Sequence, residues 1–267
     1  MDALKIVLLG ILQGITEFLP VSSDGHLVIA EALLGGLPQS AALNIALHIG
    51  TLGSIVVVYR ERIRQLLGQP RIMLMIVLAT LPLVVVGVPL KKLFHLLEES
   101  SYNALAAGFG LLVTSALMFA SQRMKSGDFS LEQITPRIAI LIGCLQAVAP
   151  APGVSRSGCT IFMGLLLGLS RSSAADFSFL IAIPAILGAT VLYSKEILNP
   201  PSTGESGSTG ISTDLLAIGA VVSFVVGVFA LSWLRRVLVS GNLNKFAWYC
   251  LVLGIGCIIW QSIHHWG

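Results

Sequence analysis

The sequence predicts an all-α integral membrane protein, and three observations predict it. Hydrophobic residues fill 55% of the 267 positions and charged residues only 11%, against about a quarter charged in an average soluble domain. The mean hydropathy is +0.89. The apolar runs are long enough for helices across a hydrocarbon core of roughly 30 Å, and they lack the short alternating segments of an outer-membrane barrel. The expected architecture is six full transmembrane helices plus two re-entrant broken-helix hairpins, related by an inverted-topology internal repeat.

The chain begins with an apolar stretch at about 4–35 that is broken at Pro20-Val-Ser-Ser-Asp-Gly, with a helix resuming near Leu27. It has no basic leader followed by an A-x-A-like site, so a cleaved signal peptide is not expected. Full spans follow at 41–59, 72–90 and 103–121. A second broken stretch covers about 138–168, interrupted at "APAPGVSRSG", with a helix resuming near Gly158. Three more spans lie at 175–193, 214–234 and 246–263. The segment "NPPSTGESGSTGIS", 199–212, is rich in Pro, Gly and Ser and reads as a flexible, dispensable outer linker. Cys144, Cys159, Cys250 and Cys257 sit in apolar segments without C-x-x-C spacing and read as buried thiols.

Shifting the chain by 133 positions lays one broken stretch on the other without a gap. Gly10, Leu12, Gln13, Val21, Ser22, Gly25, Leu33, Leu34 and Gly35 fall on Gly143, Leu145, Gln146, Val154, Ser155, Gly158, Leu166, Leu167 and Gly168; Ser40-Ala41-Ala42 falls on Ser173-Ala174-Ala175. The repeats cover about 1–133 and 134–267 of a single polytopic membrane domain. Three crossings separate the two breaks, so the second copy is inverted, and discontinuous helices of that kind meet near the bilayer midplane. Gly10-x-x-x-Gly14 and Gly164-x-x-x-Gly168 are expected to let helices approach closely.

Charge sets the orientation. Arg60, Arg62, Arg64, Arg71, Arg123, Lys125, Arg137, Arg171, Arg235, Arg236 and Lys245 fall on one side of this arrangement. Lys5, Lys91, Lys92 and Lys195 fall on the other, so the first side is expected to be cytoplasmic and both termini outside. The net charge of +3 suits membrane placement and implies no nucleic-acid partner.

Non-helical backbone at membrane depth is tolerated only inside protein or along a wet cavity, so two facing breaks imply a polar pocket. The first offers Gln13 and Glu17, one helical turn apart, then Ser22, Ser23, Asp24 and His26; the second offers Ser155, Arg156, Ser157 and Thr160. Serine-rich turns feeding helix N-termini, beside an arginine that binds two oxygens in a fork, suit phosphate. No Walker loop or G-x-G-x-x-G is present. Glu17 suits binding a divalent cation or polarising an attacking group, and His26 suits a proton shuttle. Ser22 and Ser157 fit plain helix caps equally well. His48 faces either the pocket or a neighbouring helix, while His95, His264 and His265 lie at membrane edges.

"LQGITEFLPVSSDGH" (12–26) and "PGVSRSGCT" (152–160) together resemble the two signatures of the bacterial undecaprenyl-diphosphate phosphatase family, the bacitracin-resistance type. "LHIGTLGSIVVVYR" (47–60), "RSSAADFSFLIAIPAILGAT" (171–190) and "FAWYCLVLGI" (246–255) are similar to it too, so the resemblance covers essentially the whole chain. It implies hydrolysis of undecaprenyl diphosphate to the monophosphate carrier for peptidoglycan and envelope glycan synthesis, a link to bacitracin resistance, and a place in the bacterial plasma membrane. It implies a catalytic set of Glu17, Ser23, His26 and Arg156, phosphate contacts from Gln13, Ser22, Ser155, Ser157 and Thr160, and a divalent cation such as Mg²⁺ near Glu17.

Two positions depart from the family pattern: Gln13 is the neutral form of a Glu/Gln position, and Asp24 stands where Thr or Ser is common. Ser23, His26 and an activated water all fit the nucleophile, with Ser23 favoured. The lipid tail is expected between helices and the active site open to the outer face. A homodimer is compatible with the sequence. The competing class is a polyprenyl-phosphate flippase or secondary transporter using the same pocket, since inverted repeats with broken helices also mark transporters.

Overall fold

A computed structural model describes residues 3–34, 41–90, 103–198 and 211–266. Lys91, Lys92, His95, Gly35, Ser40 and residues 199–210 of the expected linker lie outside them, as do the side chains of Leu33, Leu34, Ala41, Lys195, His264 and His265. Among the described residues every regular element is helical; a lone bridge pairs Phe129 with Leu169.

The helices are α1 (Ala3–Thr16), α2 (Ser23–Leu34), α3 (Ala41–Val58), α4 (Arg60–Leu67), α5 (Pro70–Pro82), α6 (Asn103–Arg123), α7 (Pro136–Gln146), α8 (Arg156–Leu166), α9 (Arg171–Leu198), α10 (Thr213–Ser240) and α11 (Asn244–Trp266). A π-helical turn, Leu83–Gly87, continues α5. Five stretches are long and apolar enough to cross a membrane: Pro70–Leu90, Ala104–Arg123, Arg171–Val191, Thr213–Leu238 and Asn244–Ile263. The pair α3 and α4 makes a sixth candidate, bent by 74°. The segment 60–71 between the first two expected full spans is therefore largely helical. The bend is fixed at buried Tyr59, whose hydroxyl donates to Asp176 Oδ1 of α9 at 2.9 Å. Arg235 of α10 stacks over the Tyr59 ring at 5.2 Å.

The interior and exterior are reversed relative to a water-soluble domain. Val85, Phe229 and Val252 are 69%, 72% and 69% exposed, whereas Gln13, Thr51, Thr114, Gln146 and Ser223 are fully buried. Only a hydrocarbon surround makes that distribution favourable. Buried hydroxyls close onto backbone carbonyls, within a helix for Ser54 on Thr51 and between helices for Ser223 on Leu47 and Ser115 on Ala247.

α1 and α7, the short first arms of the two broken stretches, pack against α10 and α5 respectively, and α10 also packs along α3. The long helices α6 and α11 lie together, and α6 also touches both second arms, α2 and α8. Close approach of α1 to α10 rests on small residues: a Cβ at Gly14 would lie 2.8 Å from Ser223 O and 3.0 Å from Gly227 N. Gly164 approaches Ala174 closely, but Gly168 has a different use. It ends α8 with φ +91°, a left-handed turn that suits glycine. Cys159, Cys250 and Cys257 are buried and free; Cys144 is exposed, because α7 turns that side outward.

The basic segments meet at one end of the bundle. Arg62 pairs with Glu132 at 2.8 Å, Arg71 donates to the carbonyls of Glu132 and Ile134, and Arg171 donates to Met124 O. Gln122 Oε1 accepts from the amides of Leu243 and Asn244.

Replacing Gly14 by leucine should destabilise the protein by about 1–3 kcal/mol, because the neighbours it meets are backbone atoms that cannot rotate away. Thermal unfolding in detergent measures this, and a variant as stable as the parent would contradict the close α1–α10 contact.

Candidate active site

Both breaks are closed by the same local device. At the first, α1 ends at Thr16, and the chain turns through Glu17–Val21 before α2 starts at Ser23, four residues earlier than expected. Ser22 Oγ accepts the Gly25 amide at 3.2 Å, an N-cap that starts the helix despite the polar Ser23-Asp24-Gly25-His26 run. Ser22 itself has φ 69°. That left-handed conformation costs a serine about 1–2 kcal/mol and folds the chain back on itself. At the second, α7 ends at Gln146 and α8 starts at Arg156, two residues before the expected Gly158. Ser155 Oγ accepts the Gly158 amide at 3.1 Å. Asp24, His26, Arg156 and Ser157 thus belong to first helical turns, where the amides lacking intrahelical partners lie.

The two turns touch. A Cβ at Gly25 would lie 2.8 Å from Gly153 Cα, and Ser157 Oγ donates to Leu19 O at 3.1 Å. Gly153 has φ +80° and is pressed against Ala107 O of α6. Thr114 of α6 fixes this turn by donating to Gly153 O at 2.8 Å and accepting the Ser155 amide at 2.9 Å.

Glu17 lies at the centre, 8% exposed. Its Oε1 accepts from Arg156 Nη2 at 2.8 Å, and its Oε2 accepts from Gln13 Nε2 at 3.1 Å and Ser23 Oγ at 2.9 Å. His48 of α3 places Nε2 3.8 Å from the same Oε2, its ring oriented by Nδ1 donating to Asn44 O at 2.8 Å. His48 therefore faces the pocket, the first of its two sequence alternatives. Arg156 also donates to Ser178 O at 3.4 Å. One carboxylate and one guanidinium neutralise each other, which a buried pair requires.

The structure brings Gln13, Glu17, Ser23 and Arg156 into one cluster, joined by His48. Ser22 and Ser155 are the caps; Ser157 bonds Leu19 O, and Thr160 bonds Ser178 Oγ at 2.6 Å and Arg156 O at 3.0 Å. His26 is buried nearby but bonds elsewhere: Nδ1 donates to Ser22 O at 2.7 Å, and Nε2 lies 2.7 Å from the Tyr249 hydroxyl of α11. Asp24 is exposed and takes part in none of these contacts. Tyr249, Thr114 and Ser178 escaped the sequence reading, since each is an uncharged polar group in a largely apolar helix whose partner lies on another element.

Gln13 Oε1 is buried without a hydrogen-bond partner. No cluster of three or more His, Cys, Asp or Glu occurs among the described residues. The nearby atoms able to ligate a cation are mostly oxygens, namely the Glu17 carboxylate, Gln13 Oε1 and Ser23 Oγ, with His48 Nε2 the one nitrogen beside them. Such a set fits Mg²⁺, which is held by one or two carboxylates together with waters and substrate phosphates.

Fold and site together define a polytopic helical membrane protein whose two discontinuous helices enclose an ion-paired polar centre. Residues 6–256 match the family model described as bacitracin resistance protein BacA. The chain is 45% identical over 255 residues to an undecaprenyl-diphosphatase of Rhodopirellula baltica, covering 95% of this chain and 96% of that one. It is 34% identical over 264 residues to one from Carboxydothermus hydrogenoformans (98% of each) and 35% over 297 to one from Methanobrevibacter smithii (99% of each). The chain belongs to the bacitracin resistance protein BacA family.

Removing one partner of the Glu17–Arg156 pair should cost about 3–5 kcal/mol, and the double variant Glu17→Gln/Arg156→Ala less than the sum of the two singles. Unfolding of the four proteins in detergent measures the cycle; strict additivity would show that the pair is not coupled.

Proposed function

We propose that the chain hydrolyses undecaprenyl diphosphate to undecaprenyl phosphate and inorganic phosphate, returning the lipid carrier to envelope glycan synthesis and thereby conferring bacitracin resistance. The observation that carries this reading is the clamp on Glu17, which holds the Ser23 hydroxyl on one carboxylate oxygen and Arg156 on the other. Relatives named undecaprenyl-diphosphatase along nearly the full length support it.

In this reading Ser23 is the nucleophile. Glu17 takes the Ser23 proton as Oγ attacks the terminal phosphorus, and the bond from that phosphorus to the bridging oxygen breaks. Undecaprenyl phosphate leaves with the proton. In the second step water attacks the seryl phosphate, Glu17 accepts a proton from the water, and that proton passes to Oγ as the P–Oγ bond breaks. Arg156 stabilises charge that builds on the phosphoryl oxygens in both steps. Ser22 and Ser155 keep α2 and α8 started at the site, so the unpaired amides of both first turns serve as anion donors. Ser157 and Thr160 hold α8 behind the phosphates, and Gln13 holds Glu17 from below. His26 is proposed as a further catalytic group on α2, its ring fixed between Ser22 O and the Tyr249 hydroxyl. Glu17 and Gln13 Oε1 are the residues proposed to hold Mg²⁺, which would neutralise diphosphate charge.

The proposal extends to topology. The repeats 1–133 and 134–267 are an inverted pair, supported by two caps 133 residues apart, Ser22 on Gly25 and Ser155 on Gly158. Six full spans flank two re-entrant hairpins in the bacterial inner membrane. The arginine-rich end is cytoplasmic, both termini lie outside, and the pocket opens outward. A homodimer is the proposed assembly.

Phosphate release from undecaprenyl diphosphate by purified protein in detergent tests the reading. Arg156→Ala and Ser23→Ala should each lower kcat by roughly 10²–10³, and a chelator should lower the wild-type rate. No release from folded wild type with any divalent cation would overturn the proposal.

A further inference from the structure

The His26 ring is held at both nitrogens. Nδ1 donates to Ser22 O, so the neutral ring carries its proton there, and Nε2 is the free base. That base accepts from the Tyr249 hydroxyl at 2.7 Å. The two rings lie parallel, 7° apart with centroids at 5.6 Å. His26 is 6% exposed and Tyr249 47% exposed, so the phenol bridges a buried imidazole and the helix surface.

The next residue fixes the same surface again: Cys250 Sγ lies 3.7 Å from Pro20 O, against which it donates. Two consecutive residues of α11 thus grip the first break from outside the Glu17 cluster. One turn earlier Ala247 O accepts from Ser115 of α6, beside Thr114, which fixes the second break. α11 is therefore tied to both turns, and Tyr249 is the point at which it meets an ionisable side chain.

We infer that Tyr249 is a positioning residue for the phosphatase reaction, holding the His26 ring by its Nε2 hydrogen bond and, through Nδ1–H on Ser22 O, the first turn of α2 that carries Ser23. The inference rests on the proposed hydrolysis of undecaprenyl diphosphate. Among the described residues no hydrogen bond joins Tyr249 to the Glu17 cluster, so its effect is expected to pass through His26. The hydroxyl serves both protonation states, donating to neutral Nε2 and accepting from Nε2–H of the imidazolium, so the ring stays in place in either state.

Tyr249→Phe keeps the ring and removes only the hydroxyl. In phosphate-release assays it should lower kcat by about tenfold, the scale of one lost hydrogen bond in the transition state, with KM little changed. In a His26→Ala background the same substitution should have no further effect. Wild type that releases no phosphate would overturn the phosphatase reading itself. Active wild type with Tyr249→Phe at full rate, or with an equal loss in the His26→Ala background, would overturn the positioning role. Should Tyr249→Phe fail to elute as a folded species, 3-fluorotyrosine at position 249 keeps the hydroxyl and makes it more acidic. It should displace the pH–rate profile of kcat/KM, and an unmoved profile would overturn the inference.

Discussion

The ion pair between Glu17 and Arg156 joins residues 139 positions apart across the centre of a membrane domain. Neither charge is tolerable there alone, because low dielectric leaves an unpaired ion without solvation and without screening. The pair consequently sets where the two interrupted helices lie. Both charges come from the ends of short arms, Glu17 just past α1 and Arg156 at the first position of α8. Bringing them to 2.8 Å forces the two turns into contact. Gly25 against Gly153 and Ser157 on Leu19 O are what that contact looks like in backbone terms.

Irregular backbone in the interior needs partners, and the long helices supply them. α6 serves the second turn through Thr114, α11 serves the first through Tyr249 and Cys250, and Ser115 on Ala247 O ties those two helices together. α3 reaches the same centre with His48, and its far end is held by Tyr59 on Asp176. The polar groups therefore form a connected set around a small volume, while the outer faces carry valine, phenylalanine and isoleucine toward lipid. The rigidity of a charged site in a medium that penalises every stray polar atom comes from that connection.

The long apolar helices were legible because length and apolarity are local properties, and the breaks were legible because proline, serine and glycine cluster at them. Glu17, Ser23 and Arg156 declared themselves as ionisable or nucleophilic groups where none should be. Helix starts were not legible to the residue. Asp24 and His26 read as loop by their polarity, yet the Ser22 cap on Gly25 places them in the first turn of α2. α4 was hidden for a related reason: Arg60-Glu61-Arg62-Ile63-Arg64 reads as a charged loop, whereas its spacing suits a helix lying along the surface. Tyr249 and Thr114 were hidden because their partners, His26 and the Gly153–Ser155 turn, lie far away in the chain, and no local pattern encodes so distant a bond.

Gln13 gains a meaning from the charge count. In the described cluster one anion, Glu17, faces one cation, Arg156, with Gln13 a neutral donor to the first. A second carboxylate at position 13 would leave the centre with an excess negative charge and would need a bound cation to remain stable. With glutamine there, Glu17 and Arg156 balance each other in charge. In the proposed reaction the substrate changes that balance. A diphosphate brings several negative charges to Arg156, which then has a stronger partner than Glu17. Glu17 is then freed from the pair beside the Ser23 hydroxyl that it is proposed to deprotonate. In the proposed reaction, then, neutrality at rest and basicity in the complex come from one carboxylate exchanging its partner.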